Sequence, residues 1–466
     1  MSFFTRMKPI SAATIYDPSQ QLKRTLSWPH LVALGVGAIV GTGIYTLIGV
    51  GADRAGPAVM LAFLIAGAVC ACAALCYAEL ATMMPQSGSA YTYTYSAIGE
   101  GSAWIVGWSL ILEYSVVCAA VAVGWSGYAV GFLISAGIHL PPELLAGPHA
   151  GGIVNLPAVL IVAAVAGMLL IGTRESATVN TFLVLFKIAA LALFVFLALP
   201  AFNGANFTPF MPYGFSSHVV DGQARGVMAA ASIIFFAFYG FDAVSTAAEE
   251  AKNPARDLTI GIIGSMVACT IIYILVAAAA VGGLPFVEFA TSEEPLAHVL
   301  RTLGHPGAAT MIAAAAVIAL PTVILAFMYG QSRIFFVMAR DRLLPERFGR
   351  VNKAGTPVAV TIGTAAVVAV ISGIFPLAEI AELANAGTLL AFVAVGVCVL
   401  VLRRTRPELP RIFRTPLHWL VAPLAVIGCI YLFISLPGAT QWRFLIWNII
   451  GVAVYLLYGR VKSRLA

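Results

Sequence analysis

Four ionisable side chains stand inside long apolar runs of this 466-residue chain: Glu79, Glu113, Lys187 and Asp242. A charged group at the centre of a membrane-crossing helix costs about 2.5–3.5 kcal/mol on an insertion scale, so each needs a reason to be there. Lys187 lies in TVNTFLVLFKIAALALF, beyond easy reach of either end of its run. Burial disfavours the charged form of an amine. A lysine in that setting can gain and lose a proton as its surroundings change, and so couple proton movement to a conformational cycle. The other use of Lys187 is a permanent ion pair with Glu113 or Asp242. Either acid could pair with Lys187 or carry a proton itself. Glu79 stands a turn or two from the end of its run and suits a gate or a structural pair. Arg333, in YGQSRIFF, can extend its head to the membrane surface and suits an anchor or a gate.

Two glycine-bearing stretches supply a different chemistry, that of bare peptide groups. GVGAIVGTGIY, residues 35–45, carries Gly35, Gly37, Gly41 and Gly43. Each costs a helix roughly 1 kcal/mol relative to Ala. FFAFYGFDAVS, residues 235–245, carries Gly240 with Asp242 close behind. An unwound segment in hydrocarbon leaves N–H and C=O groups unpaired unless it lines a wet cavity or holds a ligand. A half-helix that begins again after the break offers free N–H groups and a positive dipole end to a carboxylate. The half-helix that ends before it offers carbonyls to an ammonium. Together these fit the backbone of an α-amino acid. The plainer reading is that the glycines only let helices pack closely. The matching interruption in a second apolar run, with an acid beside it, favours a ligand site.

Hydrolytic chemistry finds no support. No His-Glu-x-x-His pattern is present, and His30, His139, His149, His218, His298, His305 and His418 fall singly or outside the span centres. No nucleophilic serine is placed at membrane depth with His and Asp partners, and no soluble output domain is present to serve a sensor. The seven cysteines all lie in apolar runs and read as packing residues, not as disulfides or a metal site.

The elements that must position these residues are apolar helices. Hydrophobic residues make up 61% of the chain and charged residues 10%, against about 25% charged in soluble domains. Runs near or above about 18 apolar residues read as membrane spans. Twelve are expected, near 29–52, 57–82, 102–135, 154–172, 178–200, 225–248, 258–283, 308–338, 357–376, 380–402, 417–436 and 441–459. The runs at 102–135 and 308–338 exceed one crossing and should tilt or protrude. The tyrosine-rich stretch 85–100 is too polar to span and suits an interfacial position. The first 27 residues show no short apolar region before a small-residue cleavage site, so the first run is expected to act as both signal and span. Most of the 26 Lys and Arg fall in one set of loops, among them Lys23, Arg24, Arg174, Arg350, Lys353 and Arg464. The opposite loops hold Arg54, Arg225, Arg301 and Arg443. The positive-inside rule then puts both termini in the cytoplasm of a multi-pass inner-membrane protein. The net charge of +6 reflects this topology. No basic stripe interleaved with aromatics points to nucleic acid.

Four stretches together resemble the amino acid–polyamine–cation superfamily, in particular bacterial relatives of the cationic amino acid transporters. They are AIVGTGIY at 38–45, YAELATMMPQSGSAYTY at 77–93, FFAFYGFDAVSTAAEEAKNP at 235–254 and YGQSRIFFVMARDRLLP at 329–345. The resemblance implies an all-α integral membrane protein with a LeuT-like 5+5 inverted repeat plus two extra helices. It divides the chain into an N-terminal segment 1–28, repeats over 29–200 and 225–403, helices 11 and 12 over 416–460, and a tail 461–466, with helices 1 and 6 discontinuous. It implies that Gly41, Thr42 and Gly43 meet a substrate carboxylate. The carbonyls of Ile39, Phe236, Ala237 and Tyr239 then meet the ammonium, and the Phe236 ring shuts over the substrate. Lys187 matches a family lysine standing where sodium-coupled relatives place an ion, which favours protons over sodium and needs no other cofactor. Glu113 and Asp242 match acids of the subfamily. The reading Ala319, Leu320, Pro321, Thr322 departs from its small or hydroxyl residues. Proline there can kink the helix, and Leu320 narrows the pocket, which favours small neutral or apolar amino acids over cationic ones. Proton-coupled symport by alternating access is the expected function, with exchange of one amino acid for another as the rival. A membrane-embedded enzyme or sensor is the alternative of another class. A small single-span subunit or a second copy of the chain are the partners left open, beside the substrate and the bilayer.

Overall fold

The computed structural model describes residues 6–10, 26–171, 176–220, 222–349 and 358–463. Lys23, Arg24, Arg174, Arg350, Lys353 and Arg464, part of the charge asymmetry, lie outside them, as does most of the expected N-terminal segment.

In chain order the helices are α1 (Trp28–Ile39), α2 (Thr42–Tyr45), α3 (Leu47–Ala55), α4 (Val59–Met83), α5 (Ser89–Ala97) and α6 (Glu100–Ser135). Then come α7 (Leu156–Ile171), α8 (Ser176–Ala198), α9 (Val227–Ile234), α10 (Phe241–Thr246) and α11 (Pro254–Gly283). Two short helices, α12 (Phe286–Phe289) and α13 (Pro295–Thr302), precede α14 (Pro306–Ala319) and α15 (Pro321–Arg340). The chain closes with α16 (Val358–Ile374), α17 (Leu377–Thr405), α18 (His418–Ile434) and α19 (Gly438–Val454). Among the described residues the only sheet is a hairpin, β1 (His218–Val220) against β2 (Gln223–Arg225), antiparallel with His218 opposite Arg225. Eight helical stretches are long and apolar enough to cross a membrane, and four shorter apolar helices accompany them.

Burial sorts these helices by position. Every residue from Val227 to Thr246 is buried, and so is every residue from Gly35 to Gly49. An apolar helix with no exposed face belongs at the centre of a bundle. By contrast α18 and α19 present Trp419, Ile427, Ile434, Trp442 and Ile449 outward, as helices against lipid do. The rim helices are fastened to the centre by indole and carboxylate contacts. Trp108 and Trp447 stack at 4.8 Å, and each indole N–H donates to the other's carbonyl, at 2.9 and 3.0 Å.

At one end of α17, the buried Glu79 carboxylate accepts from Arg403 Nε and Nη2 at 2.9 and 2.8 Å, from Arg411 Nε at 3.2 Å and from the Thr415 N–H at 2.8 Å. Glu79 is thus paired with two arginines and a backbone N–H in this structure. At the other end of α17, Arg54 donates to Glu382 at 2.7 Å, tying the end of α3 to α17. Lys8 reaches Asp341 at 2.9 Å, where Tyr91 also donates at 3.0 Å. Ser89–Ala97, within the stretch 85–100, folds as α5, and Tyr91, Tyr93 and Tyr95 are buried in protein. The Tyr93 ring packs on Tyr77, and the hydroxyls of Tyr91 and Tyr95 donate to Asp341 and Glu100.

Removing a partner from a buried charge pair strands the other charge. Glu79→Ala is expected to destabilise the protein by about 3–5 kcal/mol. Arg443→Ala, which breaks an exposed pair with Glu379, is expected to cost under about 1 kcal/mol. Thermal unfolding in detergent separates the two. Equal, small losses would show that the Glu79 cluster does not hold this end of the bundle.

Candidate functional site

The first interruption follows from the glycines of 35–45. α1 ends at Ile39, Val40 turns to an extended conformation (φ −73°, ψ 96°), and the helix begins again at Thr42 after Gly41. The N–H groups of Gly41, Thr42 and Gly43 find no acceptor among the described residues. The Thr42 hydroxyl is buried and also has no partner there. The carbonyl side is treated differently. Lys187 Nζ donates to the Gly37 and Val40 carbonyls at 2.9 and 3.0 Å, and the Tyr273 hydroxyl donates to the Ile39 carbonyl at 2.6 Å. One turn into the restarted helix, the Tyr128 hydroxyl donates to the Tyr45 carbonyl at 2.5 Å.

The second interruption lies alongside. α9 ends at Ile234, Phe235–Phe238 form a tight 3-10 turn, and Tyr239 is extended (φ −65°, ψ 154°). Gly240 then takes φ +116°, which L side chains rarely adopt, and α10 starts at Phe241. A Cβ on Gly240 would stand 2.6 Å from Ala38 Cβ and 2.8 Å from the Ile39 nitrogen. A Cβ on Gly43 would collide with Ala237. The glycines thus bring the two breaks face to face. The Ala237 and Tyr239 carbonyls receive no donor among the described residues, while the Phe236 carbonyl accepts the Tyr239 N–H at 3.4 Å. The Asp242 carboxylate folds back on the break, accepting from the Gly240 N–H at 3.1 Å and from the Tyr114 hydroxyl at 3.0 Å.

The residues singled out by sequence fall in three groups. Ile39, Gly41, Thr42, Gly43, Phe236, Ala237 and Tyr239 line the facing breaks, all buried. Lys187 holds the end of α1 through backbone carbonyls rather than through Glu113 or Asp242. Glu113 is fully buried, and neither of its oxygens meets a hydrogen-bond partner among the described residues. Glu79 and Arg333 stand apart from the breaks. Arg333 lies 3.6 Å from Glu250 and stacks on the Tyr329 ring at 3.7 Å. Sequence reasoning missed Tyr128, Tyr273, Asn385 and Gly124. A tyrosine or asparagine in an apolar run reads as packing until the carbonyl it serves is known. Gly124 has no local signal either. A side chain there would strike Thr42.

Leu320 occupies a kink. Pro321 lacks an N–H, so the Val317 carbonyl four residues earlier loses its helical donor. The Trp125 indole of α6 supplies one, at 2.7 Å. The 308–338 run is accordingly two helices, α14 and α15, that meet at Leu320. Val323, one turn on, stands against Gly41. Trp125→Phe is expected to cost about 1–3 kcal/mol, because it leaves a part-buried carbonyl unpaired. In a Pro321→Ala background, where the backbone regains its own donor, the same change is expected to cost far less. A double-mutant cycle on thermal unfolding reads the difference, and additive costs would remove the indole from this role.

Comparison with known proteins accords with this geometry. The family model described as amino acid permease matches residues 26–455. The chain is 44% identical over 464 residues to the branched-chain amino acid permease BcaP of Bacillus subtilis, covering 98% of this chain and 97% of the relative. It is 39% identical over 469 residues to the methylthioribose transporter of the same organism, across the full length of both. A vacuolar cationic amino acid transporter 4 of Arabidopsis thaliana is 36% identical over 415 residues, 88% of this chain and 68% of the relative. The chain therefore belongs to the amino acid permease family within the amino acid–polyamine–cation superfamily, and is a multi-pass membrane transporter rather than an enzyme.

Proposed function

We propose that the protein is a proton-coupled symporter that carries small neutral amino acids, branched-chain ones in particular, by alternating access. In this reading the membrane is crossed twelve times. The first five crossings (29–200) and the next five (225–403) form a LeuT-like inverted repeat, with α18 and α19 added and both termini in the cytoplasm. The observation that carries it is the pattern of unpaired groups at the facing breaks. Three N–H groups and the Thr42 hydroxyl on one side, and the Ala237 and Tyr239 carbonyls on the other, match the two charged ends of an α-amino acid. The side chain of the ligand is left to the apolar Leu320, Val323 and Phe236, which support an aliphatic substrate. The name of the 44%-identical relative supports the same class.

Lys187 is the coupling residue in this account. Its ammonium holds two carbonyls at the end of α1. Loss of its proton weakens that hold and frees α1 to move, which links protonation to access. Glu113, buried without a partner, is the second place where a proton can be taken up. No sodium is required. A second substrate reading has specific support in the full-length likeness to a methylthioribose transporter. Methylthioribose lacks both charged ends of an amino acid, so the two readings separate experimentally.

Proteoliposomes holding the purified protein, with an imposed inward proton gradient and no internal amino acid, test the whole reading. Wild-type protein is expected to accumulate leucine, and excess methylthioribose to leave that uptake unchanged. Lys187→Met is expected to lose gradient-driven accumulation in a well-folded protein. Accumulation by Lys187→Met would rule out its coupling role, and uptake only against preloaded amino acid would favour exchange. Gly43→Ala, which sets a methyl group onto Ala237, is expected to lower leucine uptake by at least about ten-fold. Wild-type uptake in that variant would remove the break from the site.

A further inference from the structure

Asn385 lies on α17, is fully buried, and belongs to neither interrupted helix. Its amide nevertheless spans the second interruption. Nδ2 donates to the Ser232 carbonyl at 2.5 Å and to the Ile233 carbonyl at 3.3 Å. These are among the last carbonyls of α9, where a helix end runs short of internal donors, although the Ile233 carbonyl also receives the Phe235 N–H. Oδ1 accepts from the Tyr239 hydroxyl, on the far side of the 3-10 turn. The hydroxyl of Ser232 cannot serve the same carbonyls, since it is turned back to the Ala229 carbonyl at 2.9 Å.

One side chain therefore fixes both ends of the segment that holds Phe236 and Ala237. The Tyr239 ring, held by its hydroxyl, packs against Phe235 at 5.6 Å and Phe236 at 5.1 Å. The same helix is itself held in register, because Gly387 lies against Glu113 of α6 closely enough that a Cβ there would stand 3.1 Å from Glu113 Cβ. The task needs donors and an acceptor on one short planar group. Leucine has the shape but neither function, and glutamine would overreach by a methylene.

We infer that Asn385 is a positioning residue for the substrate site: it sets the length and direction of the helix interruption so that the Ala237 and Tyr239 carbonyls stand open toward the Gly41–Gly43 amides. This rests on the reading of the site proposed above. Without Asn385, α9 is free to extend into the turn or to unwind further, and only part of the population keeps the binding geometry. Apparent affinity falls by that fraction.

The test is equilibrium binding of leucine to purified protein at a temperature well below unfolding. It uses the wild type, Asn385→Leu, Asn385→Asp, Tyr239→Phe and the Asn385→Leu/Tyr239→Phe double variant. Asn385→Leu and Tyr239→Phe are each expected to weaken binding by about ten-fold. The double variant is expected to be no weaker than Asn385→Leu alone, because both act through one bridge. Asn385→Asp, which as the protonated acid keeps one donor and one acceptor, is expected to stay within about three-fold of wild type. A purely structural role would lower the unfolding temperature and leave affinity unchanged, and that result overturns the inference, as does additivity in the double variant. If Asn385→Leu does not fold, Tyr239→Phe carries the test, and wild-type affinity in it overturns the inference. Failure of wild-type protein to bind leucine overturns the site reading and this inference with it. Wild-type binding with unaffected variants overturns the inference alone.

Discussion

A peptide group released inside hydrocarbon must find a partner, because no water is there to take it. The second half of this structure's logic follows from that constraint. Two helices come apart at mid-length, and side chains from four surrounding helices gather at the released groups. Lys187 and Tyr273 take the carbonyls at the end of α1, Tyr128 takes one in the restarted helix, and Asn385 takes those at the end of α9. Trp125 serves the carbonyl that Pro321 strands. What remains unpaired is informative for that reason. The Gly41–Gly43 N–H groups and the Ala237 and Tyr239 carbonyls are left over at one place, where the breaks face each other.

The rest of the fold keeps that place intact. The interrupted helices are buried along their whole central length, so their breaks are never offered to lipid. The surrounding helices are clamped at both ends, by Glu79 with Arg403 and Arg411 at one end of α17 and by Arg54 with Glu382 at the other. Stacked indoles fasten α19 to α6. These pairs lie away from the breaks, and their work is to hold the frame within which the central helices are interrupted.

Much of this was legible in the residues alone. Glycines in two corresponding apolar runs, with an acid beside the second, marked both interruptions, and Pro321 marked the kink, because glycine and proline act on the backbone wherever they stand. Lys187 was legible as a buried charge, but its partners were not. Backbone carbonyls carry no sequence signal, so an acid was the natural partner to expect. The partners of the tyrosines of 85–100 were illegible for a related reason. Tyr95 meets Glu100 five residues on, but only the fold brings Asp341, 250 residues away, within reach of Tyr91. Asn385 and Trp125 escaped altogether, since each serves a carbonyl more than 150 residues away in the chain.

The measurement that bears most directly on this account is the thermal stabilisation of the purified protein by leucine and by two analogues, each lacking one charged end. Leucine methyl ester has no carboxylate for the Gly41–Gly43 amides, and N-acetylleucine has no ammonium for the Ala237 and Tyr239 carbonyls. A ligand that binds only the folded state raises its unfolding temperature. The account predicts stabilisation by leucine and by neither analogue. Equal stabilisation by all three would mean that the unpaired groups at the two breaks do not hold the ligand.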